Sequence, residues 1–218
     1  RATGRRVLAI QDTTALSFAR RRGGELGPGG DGQVPGIFLH PVLVVDADSG
    51  VALGLAAGAV WTRAPGKVTP HTKRDIEDRE SWRWIELGLA AKNALAGAAH
   101  VMLLADRESD IYELYCLASA LGAHFLVRTC VDRLACDGKT TIAREMASVK
   151  PLGQHQIVLH GSDGECREVV LDLKVKRMTV LPPIGKFKRY PTLELTGLYA
   201  TARAKPDARK TNDEPTER

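Results

Sequence analysis

VMLLADRESDIY, residues 101 to 112, runs an apolar segment straight into a cluster of charge. Val101 to Ala105 is unbroken aliphatic sequence without alternation, the pattern of a strand buried on both faces. Asp106, Arg107, Glu108 and Asp110 follow, and Ile111, Leu114, Tyr115 and Ala118 then recur at helical spacing toward Leu121. Gly122 stops that helix, and His124 to Arg128 reads as another strand. A strand, a helix and a strand joined this closely make a parallel pair. The charges therefore fall at the carboxyl end of a strand. Two readings suit that place. Asp106 or Asp110 caps the helix that follows, or an acid is held out over the end of the sheet, where open α/β sheets carry functional groups.

Upstream, Arg5 to Ile10 reads as a strand that ends in Gln11-Asp12-Thr13-Thr14. GGELGPGGDGQ, residues 23 to 33, is a loop, and no Gly-Lys-Ser/Thr follows to make it phosphate-binding. Ile37 to Val45 and Val51 to Trp61 form a hairpin across the turn Asp46 to Gly50. Residues 64 to 80 are polar, of mixed charge and without period, as expected of a mobile segment. Ser81 to Ala96 is helical, with Trp84, Leu87, Ala91 and Leu95 on one face. The order β-β-β-α-β-α-β predicts an α/β fold with a mixed sheet. An antiparallel meander leads into parallel strands reached by right-handed crossovers. From Thr129 the periodicity changes to short strand-like runs at 156–159, 168–173, 177–181 and 193–199, separated by Gly, Pro and Asp. The division expected is a core over 1–128, a β-rich insertion over 129–204 and a polar, disordered tail over 205–218.

Composition narrows the class. Hydrophobic residues make up 44% and aromatics 5%, so the core is aliphatic, and the net charge of +5 leans toward a polyanionic partner. Cys116, Cys130, Cys136 and Cys166 form no CxxC pair, and the histidines show no ligand spacing against them. Four reduced thiols of a cytoplasmic protein are expected. No apolar run is long enough to span a bilayer, so no membrane partner is expected.

Two acids stand just past two apolar strands: Asp12 after Val7 to Ile10, and Asp106 after Val101 to Ala105. If these strands lie side by side in parallel, both carboxylates emerge at one edge. Close carboxylates repel unless a cation sits between them. Mg²⁺ suits such a pair, because it binds through one or two carboxylates and keeps water and phosphate oxygens in its shell. Each acid also has a plain structural reading: Asp12 with Thr13 and Thr14 as a strand-end turn, Asp106 as a cap.

The motifs themselves tip the balance. Ile10-Gln11-Asp12-Thr13-Thr14-Ala15-Leu16-Ser17 and Ala105-Asp106-Arg107-Glu108-Ser109-Asp110-Ile111-Tyr112 resemble the first two acidic motifs of the IS4 family of DDE transposases. Trp61-Thr62-Arg63, Glu80-Ser81-Trp82-Arg83-Trp84 and Phe125-Leu126-Val127-Arg128 match in order and approximate spacing. The resemblance covers residues 5 to 128 well and the β-rich part more loosely. It implies a ribonuclease-H-like core, with a β-rich insertion before the last helix. It also implies Mg²⁺- or Mn²⁺-dependent cleavage of transposon ends with strand transfer into target DNA, and a homodimer in the synaptic complex. By that resemblance Asp12 and Asp106 are two of three metal-binding carboxylates, and Arg128 is a basic residue near the DNA. Thr13, Thr14, Arg107 and Asp110 are supporting residues, and Glu108, like Asp110, orients or caps. The family's third acid, a Glu within a Tyr-x-x-Arg-x-x-x-Glu-x-x-x-x-x-x-Lys pattern, has no counterpart here. The chain therefore reads as a fragment of a longer transposase, weakly active or inactive, with one sheet face uncovered. A non-catalytic DNA-binding or oligomerisation module of the same descent is the alternative.

Weaker signals have plain readings. Asp137 to Thr141 lacks the first Gly of a phosphate loop and is expected to be a hairpin turn. The basic stretches Lys174 to Arg177 and Lys186 to Arg189 suit phosphate tracking or a solvated strand face. Trp61, Trp82 and Trp84 are expected to pack rather than stack on bases.

Overall fold

The computed structural model describes residues 1–18, 26–30, 32, 34–64, 76–161 and 164–203. The segments 23–33 and 64–80 fall partly, and the tail 205–218 wholly, outside the described residues. The fold is mixed α/β with two sheets. Its elements are β1 (Arg6–Gln11), β2 (Thr14–Ser17), β3 (Gly36–Asp46), β4 (Ala52–Trp61), α1 (Trp82–Ala94), β5 (His100–Ala105), α2 (Tyr112–Ala120) and β6 (His124–Val127). There follow β7 (Leu134–Ala135), β8 (Thr140–Thr141), α3 (Ile142–Ala147), β9 (Gly153–His160), β10 (Cys166–Val180) and β11 (Leu193–Ala202). No described helix is long and apolar enough to cross a membrane.

Contacts divide the chain into two compact units, residues 1–132 with 182–193, and residues 133–181 with 194 onward. In the first, the strands lie in the order β4-β3-β1-β5-β6, and β2 pairs with the first half of β3 beyond the end of β1. β3 is antiparallel to β1 and β4, whereas β1, β5 and β6 are parallel. Both crossovers, β4 to β5 through α1 and β5 to β6 through α2, step the same way across the sheet. Right-handed connections therefore put both helices on one face. On that face Leu87, Ala91 and Leu95 of α1 pack against Val7, Ala9, Val42, Val44 and Leu103. Tyr115 of α2 stacks on Phe125 at 5.3 Å between ring centroids. Gly122, at φ +60°, ends α2 in the left-handed conformation that spares glycine a Cβ clash.

The other face is a row of aliphatic side chains. Leu55, Leu43, Ile10, Leu104 and Leu126 are successive cross-strand partners over all five strands. Leu55 is 69% exposed, Leu126 48% and Leu43 37%. Ile10 and Leu104, in the middle of the row, are half-buried.

Four features depart from the sequence reading. Thr14–Ser17 is a strand, not a turn, because its backbone pairs with β3. The runs expected at 168–173 and 177–181 are one continuous strand, β10, paired with β9 along its first half. The second unit is also not purely β. The six-residue helix α3 is too short to show a period, and Thr141 Oγ1 caps it by accepting from Arg144 N. Residues 182–193 belong with the first unit rather than with one insertion over 129–204. Lys186 Nζ and Tyr190 Oη both donate to Glu113 Oε1 of α2, at 3.1 and 3.0 Å, and Tyr112 Oη donates to the Pro191 carbonyl at 2.8 Å.

Asp137 to Thr141 is the expected hairpin turn, with Lys139 N donating to Asp137 Oδ1. The basic stretch 174–177 is tied within its own unit. Lys174 donates to the last carbonyls of α3, Lys176 pairs with Glu145, and Arg177 lies 4.0 Å from Glu194. All four cysteines are free thiols.

Candidate acidic site at the carboxyl edge of the sheet

The register of the parallel strands places the acids. Gln11 of β1 pairs with Ala105 of β5, and Ala105 pairs with Val127 of β6. The next residue on each strand is Asp12, Asp106 and Arg128. With neighbouring strands about 4.8 Å apart, the three stand in a row along one edge. The condition set by the sequence, that the two strands be parallel neighbours, is met.

Each acid is fixed by one oxygen. Asp12 Oδ1 accepts from Thr13 N at 2.7 Å. Asp106 Oδ1 accepts from Glu108 N at 2.8 Å, and its carbonyl accepts from Ser109 Oγ at 2.7 Å. Asp106 thus caps the single 3-10 turn Arg107–Ser109 that opens the connection to α2. Among the described residues no hydrogen bond reaches the second oxygen of either acid. Burial raises the Glu108 carboxyl above its ordinary range, and the negative fields of Asp106 and Asp12 add to it, offset in part by Arg107. Glu108, read from the sequence as a residue that orients or caps, thus lies in the field of the pair.

Asp110 has a different place. Its Oδ1 accepts from Tyr115 Oη at 2.7 Å, and its Oδ2 accepts from Cys130 N and Val131 N at 2.7 and 2.8 Å. It does not cap α2, whose N-cap is Ile111 without a side-chain bond. It ties α2 to the turn after Arg128. Arg128 N donates to the Ala105 carbonyl at 3.2 Å, and the side chains of Arg107 and Arg128 are exposed. Thr14 pairs by backbone with Leu39 and is exposed.

Beneath Asp12 lies a group that motif reading missed. His40 of β3 is 1% exposed. Its Nδ1 lies 2.7 Å from Thr13 Oγ1, its Nε2 lies 3.2 Å from Gln11 Oε1, and its ring meets Trp84 edge-on at 4.5 Å. A neutral ring protonated on Nε2 satisfies both contacts, donating to Gln11 and accepting from Thr13. Burial lowers its pKa to about 4; Asp12 opposes this and Arg83 adds to it. The only hint in the sequence was a lone polar residue in the middle of an apolar strand, in line with the buried positions.

A second cluster joins two of the matched segments, Trp61 to Arg63 and Glu80 to Trp84. Arg63 donates from Nε and Nη2 to the two oxygens of Glu80, both at 2.7 Å. That fork holds the Glu80 carboxyl below its ordinary range. The Arg63 guanidinium lies over Phe38 at 4.3 Å, Phe38 stacks on Trp61, and Arg83 lies over Trp61 at 4.0 Å. Trp84 is buried and Trp61 and Trp82 are half-buried, as packing residues should be. A cavity of about 290 Å³ lies at the opposite edge of the sheet, lined by Thr3, Leu53, Leu95 and Gly97 among others, and holds none of these acids.

No protein-family model matches the chain.

Proposed function

We propose that the chain carries the acidic core of a ribonuclease-H-like DDE transposase of the IS4 type. The observation that carries this reading is the placement of Asp12 and Asp106 on adjacent parallel strands, one residue past paired positions, at one carboxyl edge. The strand order β4-β3-β1-β5-β6, with the first three strands antiparallel and both helices on one face, supports the fold reading.

The residues present suit a hard divalent cation. Asp12 and Asp106 offer carboxylate oxygens that accept no other bond among the described residues, and the Glu108 carboxyl, raised first by burial, also feels the negative fields of both. Asp12 and Asp106 would hold Mg²⁺ or Mn²⁺. When bound, such an ion neutralises charge and lowers the pKa of its water for in-line displacement at a phosphodiester. The chain's own residues do the rest. Thr13 orients Asp12 through its backbone N–H, and the 3-10 turn orients Asp106. Arg107 and Arg128 supply positive charge for the phosphates of double-stranded DNA beside the acids. Asp110 holds the turn that follows Arg128. With two acids at strand ends and no third acid in the family's pattern, activity is expected to be weak.

The test is Mn²⁺-dependent cleavage of DNA carrying transposon ends. Asp12→Ala and Asp106→Ala are each expected to lower it by more than about 100-fold, beyond the range for losing a group that only orients a metal ligand. Full activity in either variant would sink the reading. Equal cutting of DNA without transposon ends would favour a stand-alone nuclease. The exposed aliphatic row favours the second reading, a non-catalytic DNA-binding or oligomerisation module. DNA binding without cleavage, unchanged by Asp12→Ala, would support that one.

A further inference from the structure

We infer that His40 is a positioning residue for Asp12, acting through the Thr13 hydroxyl; this rests on the reading of Asp12 as a metal-holding acid.

Asp12 is exposed. Its one hydrogen bond within the described residues comes from the backbone N–H of Thr13, so its orientation is as definite as that peptide. Thr13 lies between the end of β1 and the start of β2, without ladder bonds of its own. Its hydroxyl lies 2.7 Å from His40 Nδ1 and ties it to β3. His40 is in turn fixed on three sides, by β3, by the Trp84 ring edge-on at 4.5 Å, and by Gln11 Oε1 at 3.2 Å. Gln11 has room because residue 88 of α1 is glycine. A Cβ there would stand 3.1 Å from the Gln11 amide nitrogen. The chain of contacts thus runs from a buried, packed ring through a hydroxyl and a peptide N–H to an exposed carboxylate. Groups that orient a metal-binding side chain typically matter by 10–100-fold in metal affinity.

A buried histidine can also be mere filling, and the two roles separate by substitution. In His40→Asn the amide oxygen falls near the Nδ1 position and can still accept from Thr13. In His40→Gln it falls near the Nε2 position and cannot, although glutamine better fills the space. Thr13→Val keeps shape and loses the hydroxyl, whereas Thr13→Ser keeps the hydroxyl. Mn²⁺ affinity of the full chain is measured by electron paramagnetic resonance, beside the melting temperature of each variant. His40→Gln and Thr13→Val are expected to weaken Mn²⁺ binding about tenfold. His40→Asn and Thr13→Ser are expected to stay near the unsubstituted chain, whatever their melting temperatures. The inference is overturned if Mn²⁺ affinity follows melting temperature across the four, or if Thr13→Val binds as well as Thr13→Ser. Mn²⁺ binding that shows this pattern in a chain that cuts no DNA leaves the inference standing and removes the catalytic reading. Absence of Mn²⁺ binding by the unsubstituted chain removes both.

Discussion

A neutral imidazole buried under an acidic edge makes stability depend on pH. His40 has a folded-state pKa of about 4 against an ordinary value of 6.5. Above pH 6.5 the ring is neutral folded and unfolded, and its contribution is fully present. As the pH falls from 6.5 toward 4, the unfolded chain takes up a proton that the fold resists, and about 3 kcal/mol is lost. The groups that face the ring are Thr13, Gln11 and Trp84 by contact and Asp12 and Arg83 through their fields. Urea midpoints between pH 7 and pH 4.5 are expected to fall in the unsubstituted chain and to fall less in His40→Asn. Parallel slopes would show that the ring is not the source. Asp46 acts in a lower window. Arg5 and the Ser49 and Asp48 donors hold its carboxyl well below the ordinary 3.8, so its contribution is lost only as the pH drops below that value.

At the scale of elements, the docking of residues 182–193 on α2 rests on one buried acid. Burial pushes the Glu113 carboxyl up, but its own backbone N–H, Lys186 and Tyr190 outweigh burial and hold it below the ordinary range. The same burial and the same carboxylate push the Tyr190 phenol up to about 12. Removing Glu113 leaves a lysine and a phenol without their common partner. Glu113→Ala is expected to speed tryptic cleavage at Lys186, Lys188 and Arg189 several-fold, read by mass spectrometry under native conditions, with less effect on sites in β1 to β5. Unchanged cleavage would show that the Tyr112 bond to Pro191 is sufficient by itself. The contact joins residues 73 positions apart, which no periodicity can announce. By contrast α1, α2 and the parallel strands were legible, because each carries enough apolar residues at its own period.

For the molecule as a whole, the consequential surface is the aliphatic row across the sheet. Leu55 and Val60 are 69% and 66% exposed, at the β4 end of that face. Apolar surface of this kind favours association or dye binding. The double variant Leu55→Thr with Val60→Thr is expected to lower anilinonaphthalene sulfonate fluorescence and to reduce any self-association in sedimentation. The melting temperature should change little, because surface substitutions typically stay within about 0.5 kcal/mol. Equal dye binding would place the association surface elsewhere.

Period and punctuation alone determined the order of the longer strands and helices through residue 128, β2 excepted, and the aspartate at the end of β1 and of β5. Those signals are local, since a strand and a helix each repeat their apolar residues over a few positions. Tertiary structure alone decided the rest. Pairing register put Asp12, Asp106 and Arg128 in one row. Packing against α1 buried His40 under Thr13, and polar contacts returned residues 182–193 to α2. Long-range hydrogen bonds between single polar side chains leave no period in a sequence, and so only the folded chain shows which carboxylate is held and by what.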